Sequence, residues 1–190
     1  NGGIDTAEFD GNIISNGIIV DQYSPTILAT ICYPYATKSA PTVCIDPRPF
    51  DAREEKVCSI GSQITPNQGA PVAVTKIEQE ASTNKIQFKI TIKNVGNGDI
   101  IKPGADEKGI ATLDKCGPSG SGVLDRKDFD RVQLEKVKVG SIDLFATKKC
   151  APFADNTKNI VRLFDGEGFV ICTLSVSDLK DVQSAYTTLL

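Results

Sequence analysis

The chain has no histidine, no methionine and no tryptophan among its 190 residues. Without imidazole there is no Ser-His-Asp triad, no Cys-His pair and no His-ligated zinc, which removes most familiar hydrolase mechanisms. A surplus of positive charge is missing as well. The 21 Lys and Arg stand against 24 Asp and Glu, and a net charge of -3 leaves no excess cations to neutralise phosphates. Nucleic acid is therefore not an expected partner. No apolar run approaches the ~20 residues that span a bilayer, so no transmembrane segment is expected. No Asn-x-Ser/Thr acceptor occurs. With Asn1 at its start and no Met anywhere, the chain reads as processed or excised.

What is present begins with six cysteines, Cys32, Cys44, Cys58, Cys116, Cys150 and Cys172, with no C-x-x-C pair among them. An even count without metal-binding partners reads as a disulfide framework, and disulfides belong to oxidising compartments. The alternative is six buried free thiols in a cytosolic protein. Of the 15 possible connectivities, one follows from local context. Cys32 and Cys44 flank Lys38 symmetrically, as the arms of a hairpin centred there would. Cys116 and Cys150 share a Lys-Cys-[Gly/Ala]-Pro setting, which leaves Cys58 to pair with Cys172.

The clearest strand is 86–93, where Ile86, Phe88, Ile90 and Ile92 alternate with Gln87, Lys89, Thr91 and Lys93. With 71–79 before it and a polar turn between, it makes an antiparallel pair. Val137, Val139, Ile142 and Leu144 share one face if Gly140-Ser141 form a two-residue type II′ loop. A third hairpin joins 160–164 to 169–174 through Asp165-Gly-Glu-Gly168. Thr26–Cys32 and Thr42–Ile45 are further β-rich runs. Helix signals are confined to Leu124–Asp130 and Ser177–Ser184, a turn or two each. The segment from Gly96 to Gly122, rich in Gly, Asp and Pro, reads as a long loop. Many short strands with such turns imply an all-β protein, an antiparallel β-sandwich preceded by a β-rich N-terminal segment.

The run Phe88-Lys-Ile-Thr-Ile-Lys-Asn-Val-Gly-Asn-Gly-Asp99 resembles surface-protein repeats of the CARDB type, which are Ig-like β-sandwiches. Ile31–Tyr35, Gly69–Lys76 and Gly166–Cys172 are similar to uncharacterised secreted archaeal surface proteins. The resemblance implies an Ig-like fold and an extracellular or cell-surface location, and lends no activity. It also implies tandem domains. Tyr23–Leu28 and Tyr186–Leu190 echo one another and would mark equivalent strands, so that 1–57 forms part of a first sandwich and 58–190 a second one lacking its last strand.

Candidate sites are few. Asp125, Asp128 and Asp130, with Asp106 and Asp114, offer oxygen ligands for Ca²⁺ but lack the Gly and distal Glu of an EF-hand, so a solvated acidic loop is the plainer reading. Asp165 and Glu167 sit where a turn is required. Gly117–Gly122 lacks the Lys-[Ser/Thr] of a phosphate loop. Tyr33, Tyr35 and Phe50 with Arg48 and Arg53 would make a patch for carbohydrate or a partner. Catalytic, cofactor-binding and metal-binding residues are accordingly not expected.

Two readings follow. The first is a non-catalytic extracellular structural protein, a subunit of an archaeal-type cell-surface assembly or filament, partnered by itself or by another surface protein. The second is a secreted adhesin or ligand-binding module working through its Gly/Asp-rich loops. In the first, the strand opening at Tyr186 needs a partner, and strand addition supplies it. The expected donors are 12–20, with Ile13, Ile14, Ile18, Ile19 and Val20, or 26–32, with Ile27 and Leu28, folding back within the chain or entering a neighbour.

Overall fold

The computed structural model describes residues 6–12, 22, 24–27, 29–52, 56–103, 115–116, 124–155 and 159–179, and the backbone of the strand at 186–189. The chain divides into two compact units, Asn1–Thr30 and Ile31–Leu190. In the first, the described residues carry no regular secondary structure, and Phe9 and Ile27 are almost fully exposed. The β-rich run at 26–32 thus contains no strand among its described residues. Ile27 and Ile31 are both exposed rather than packed on a sheet.

The second unit is all-β and antiparallel; among the described residues its helical content is confined to short 3-10 pieces such as Arg126–Asp128 and Val176–Asp178. Its centre is the hairpin of β3 (Val72–Ala81) and β4 (Lys85–Asn94), closed where Ser82 N–H donates to Lys85 O at 2.8 Å. The ladder runs from Val72↔Asn94 to Ala81↔Ile86, with a bulge between Val74 and Lys76. β10 (Glu167–Ser175) pairs with the whole other edge of β4, from Glu167↔Lys93 to Ser175↔Lys85. β2 (Gln63–Ile64) and β8 (Cys150–Ala151) complete a five-stranded sheet ordered β2-β3-β4-β10-β8.

The alternation read in β4 sets the buried face. Ile86, Phe88, Ile90 and Ile92 are buried alongside Val170, Cys172 and Leu174 of β10. Each such side chain contributes about 1.5–3 kcal/mol on leaving water. Thr91, expected on the wet face, is buried too; it lies beside the bulge, opposite Lys76. The cluster is covered by shorter ladders: β1 (Thr42–Ile45) with β11 (Tyr186–Leu189), β5 (Arg131–Gln133) with β9 (Ile160–Arg162), and β6 (Lys138–Val139) with β7 (Ile142–Asp143). From these, Val43, Ile45, Val139 and Val161 join the core, as do the neighbouring Leu144 and Leu163.

The 137–144 hairpin forms with the expected register, Val139↔Ile142, and Gly140 takes φ +57° as the first residue of the loop. The 160–174 hairpin is tighter than expected. Asp165 and Gly166, with φ of +50° and +77°, make the turn, and Phe164 and Glu167 exchange backbone hydrogen bonds of 2.7 and 3.0 Å. Glu167 and Gly168 therefore belong to β10. The arms then part, β9 to β5 and β10 to β4. Gly168 sits buried at the parting, where a β-carbon would lie 2.6 Å from Arg162 O.

β1 and β11 pair antiparallel from Thr42↔Leu189 to Ile45↔Tyr186. The partner found for the last strand among the described residues is thus 42–45. It lies in the N-terminal part, but in neither run expected to donate.

Candidate functional site

All six cysteines are joined in three disulfides, with a connectivity that differs from the expected one: Cys32–Cys116, Cys44–Cys58 and Cys150–Cys172. The expected Cys32–Cys44 bond required a hairpin about Lys38. Residues 31–41 instead run as irregular chain, with Pro34 and Pro41 withholding ladder donors, and are tied to the sheet by Thr37 Oγ1 donating to Val72 O at 2.6 Å. Cys44 lies in β1 and reaches Cys58 across a Cα separation of 5.7 Å. Cys150 and Cys172 are directly opposed in the β8–β10 ladder, their Cα atoms 4.0 Å apart, and so join each other rather than Cys116 and Cys58.

The acidic loop is divided among local partners. Asp128 is buried; its carboxylate accepts the Asp125 N–H at 3.0 Å and meets Lys102 Nζ at 3.0 Å. The Asp125 amide and then Lys102 hold its carboxyl below the usual aspartate range, burial opposing them. Asp125 pairs with Lys127 at 2.9 Å, which raises the Lys127 ammonium. Among the described residues no group of three or more Cys, Asp or Glu is arranged to hold a metal ion. Asp106, Asp114 and Gly117–Gly122 lie outside the described residues.

Of the aromatic patch, Tyr33 and Tyr35 are more than half exposed and meet edge to face, centroids 6.2 Å apart. Phe50 is exposed, Arg48 pairs with Asp51 at 3.7 Å, and Arg53 lies outside the described residues. Among the strand-donor candidates, Ile13, Ile14, Ile18, Ile19, Val20 and Leu28 also lie outside the described residues.

A cleft that no sequence motif marked lies on the outer side of the β5–β9 ladder. It has a volume of about 330 Å³ and is lined by Lys102, Pro103, Lys127, Arg131, Asp155 and Ile160. Tertiary hydrogen bonds assemble it: Lys102 N–H to Asp128 O at 2.7 Å and Ala154 N–H to Ile160 O at 2.7 Å. Because strand side chains alternate, Val132 and Val161 turn to the core while Arg131 and Ile160 turn away. Ile160 is buried yet is not part of the central apolar cluster. Arg131 Nε is buried without a hydrogen-bond partner, an arrangement that ordinarily costs about 1–3 kcal/mol or more for a charged group.

Comparison of the chain with protein families, with curated proteins and with solved structures gave no match. No family assignment follows from them. Among the described residues no helix is long and apolar enough to cross a membrane.

Proposed function

We propose that the chain is a non-catalytic extracellular structural domain with an Ig-like sandwich, a subunit of an archaeal-type cell-surface assembly whose copies are joined by strand addition. The observation that carries this reading is the β1–β11 ladder. A four-residue strand from the N-terminal part supplies the main-chain partner of Tyr186–Leu189, and the two form a sheet of their own. Such a short ladder is exchangeable between copies with no new contact chemistry, since the same pairs form in trans. A heterologous exchange that does not close on itself propagates into a fibre. Three disulfides support an oxidising, extracellular location, and their constraint on the unfolded chain suits a domain under mechanical load. The absence of imidazole from the sequence and the commitment of the buried Asp128 to Lys102 support a role without catalysis.

Negative-stain microscopy with light scattering on the purified chain tests this reading. Ordered polymers are expected; a monodisperse monomer across the accessible concentration range would contradict it. Removing residues 1–22 separates the possible donors in part, since polymers that persist exclude 12–20 and leave 26–32 or Thr42–Ile45 as the exchanging strand. The second reading, a binding module, is favoured by one observation, the cleft beside Arg131.

A further inference from the structure

We infer that the cleft on the outer face of the β5–β9 ladder is a binding site for a carboxylate, held by Arg131 and sized for one small acidic ligand. The inference is independent of assembly and rests on three features.

The first is an imbalance of pairing. Lys102 and Lys127, the other cations in the wall, are answered by Asp128 at 3.0 Å and Asp125 at 2.9 Å. Asp155, the one carboxylate among the named wall residues, is itself engaged in an interaction. Arg131 takes part in no ion pair among the described residues, and its buried Nε has no acceptor. Buried polar atoms in native proteins are nearly always hydrogen-bonded, so an unpartnered guanidinium nitrogen beside an open cleft marks where an acceptor belongs.

The second is register. Arg131 lies directly across from Arg162 in the β5–β9 ladder, which places both side chains on one face of the sheet. Arg162 stacks on Phe164, its guanidinium carbon 4.6 Å from the ring centroid, and likewise takes part in no ion pair among the described residues. Like charges directly opposed on adjacent strands repel, and an anion between or beside them converts that repulsion into attraction. The third is the wall. Pro103 and Ile160 give the cleft an apolar side, and a volume of about 330 Å³ is at the small end of ligand sites, enough for a single acidic sugar or amino acid. The planar guanidinium matches a planar carboxylate bidentately, and the apolar side accommodates the carbon skeleton behind it.

The test uses the intact chain. It has five arginines, so the Arg Nε–Hε region of a nitrogen–proton correlation spectrum is sparse. D-Glucuronate, N-acetylglutamate and sulfate are titrated at fixed ionic strength. The expected result is a saturable shift of the Arg131 Nε–Hε signal with both carboxylates, a smaller one at Arg162, and none at Arg48 or Arg126. Arg131→Lys, which keeps the charge but loses the fork, is expected to weaken carboxylate binding at least tenfold, read from the Lys102 and Ile160 amides. If that variant fails to fold, Arg162→Gln, at an exposed position, is expected to weaken it severalfold. No saturable shift with either carboxylate, or an equal shift with sodium chloride, would overturn the site. Tighter binding of sulfate than of either carboxylate would overturn the assignment of its ligand.

Discussion

The β3–β4–β10 region and the segment from Ile31 to Ile64 are held by different means. In the first, three strands of nine or ten residues pair along their length, and alternating large apolar side chains of β4 and β10, with Ile77 of β3, fill one face. In the second, β1 has four residues and β2 two, and Ile31, Tyr33, Tyr35, Phe50 and Ile64 are exposed. That segment is fastened by Cys32–Cys116 and Cys44–Cys58, by the Thr37 bond to Val72, and by the pair of Lys56 with the buried Asp46 at 2.9 Å. Cys150–Cys172 ties the two-residue β8 to β10, but where alternation gives a ladder enough buried area, as in β3–β4 and β4–β10, no disulfide crosses it. Where it does not, covalent and charged ties substitute for the missing area.

The comparison breaks first at Phe88, which is fully buried and directly opposite Cys172. Phe88→Ala is expected to cost about 4 kcal/mol, since truncating a buried Phe typically costs 3–5. Denaturant unfolding checks it, and one cooperative transition is expected. Cys44→Ala with Cys58→Ala comes next. Opening a bond that spans 14 residues is expected to cost about 3 kcal/mol in the chain-entropy account. Hydrogen exchange should localise the added exposure to the backbone of β1 and β11, while the β3–β4 amides stay as protected as global stability allows.

Smaller effects probe the joints between the regions. Gly168→Ala drives a methyl group to 2.6 Å from Arg162 O, a backbone atom that cannot turn aside. A loss of about 1–3 kcal/mol is expected, with amide shifts confined to the β9–β10 corner. Asp128→Asn keeps the shape of the side chain and removes its charge toward Lys102 and the Asp125 amide, a loss of about 1 kcal/mol at neutral pH. Because the native carboxyl titrates below the ordinary value of 3.8, its stabilisation is present above that value and fades as the pH falls through the lowered native one. Stability curves of the wild type and of Asp128→Asn are therefore expected to converge in acid.

The hairpins were legible because period-two alternation and turn chemistry are local. Val139 and Ile142 face each other as Gly140-Ser141 implied, and Ile86–Ile92 present the buried face that their spacing announced. The third hairpin was read with too long a turn. Gly168 looks like a loop residue, but it is glycine because another backbone passes beside it. The β1–β11 pairing was not legible, since a four-residue strand with weak alternation does not specify a distant partner. The disulfide connectivity failed for a related reason. Symmetry about Lys38 says nothing unless the intervening chain forms a ladder, and Pro34 and Pro41 prevent one. The cleft beside Arg131 left no sequence signal, because Lys102, Lys127, Arg131 and Ile160 meet only after β5 and β9 have paired.

Strand exchange through the β1–β11 ladder is tested most directly by marking which copy supplies each strand. Thr42→Cys with Leu189→Cys places a cysteine on each member of one register pair. Chains of natural isotopic content and ¹⁵N-labelled chains, mixed as reduced monomers in equal amounts, are allowed to oxidise and assemble, and the cross-linked peptide carrying both positions is weighed. Exchange in trans predicts that about half of that peptide has one labelled and one unlabelled strand, as random pairing of two equal pools requires. Peptide with both strands always from the same pool would show that Thr42–Ile45 closes only its own chain, and would contradict assembly through this ladder.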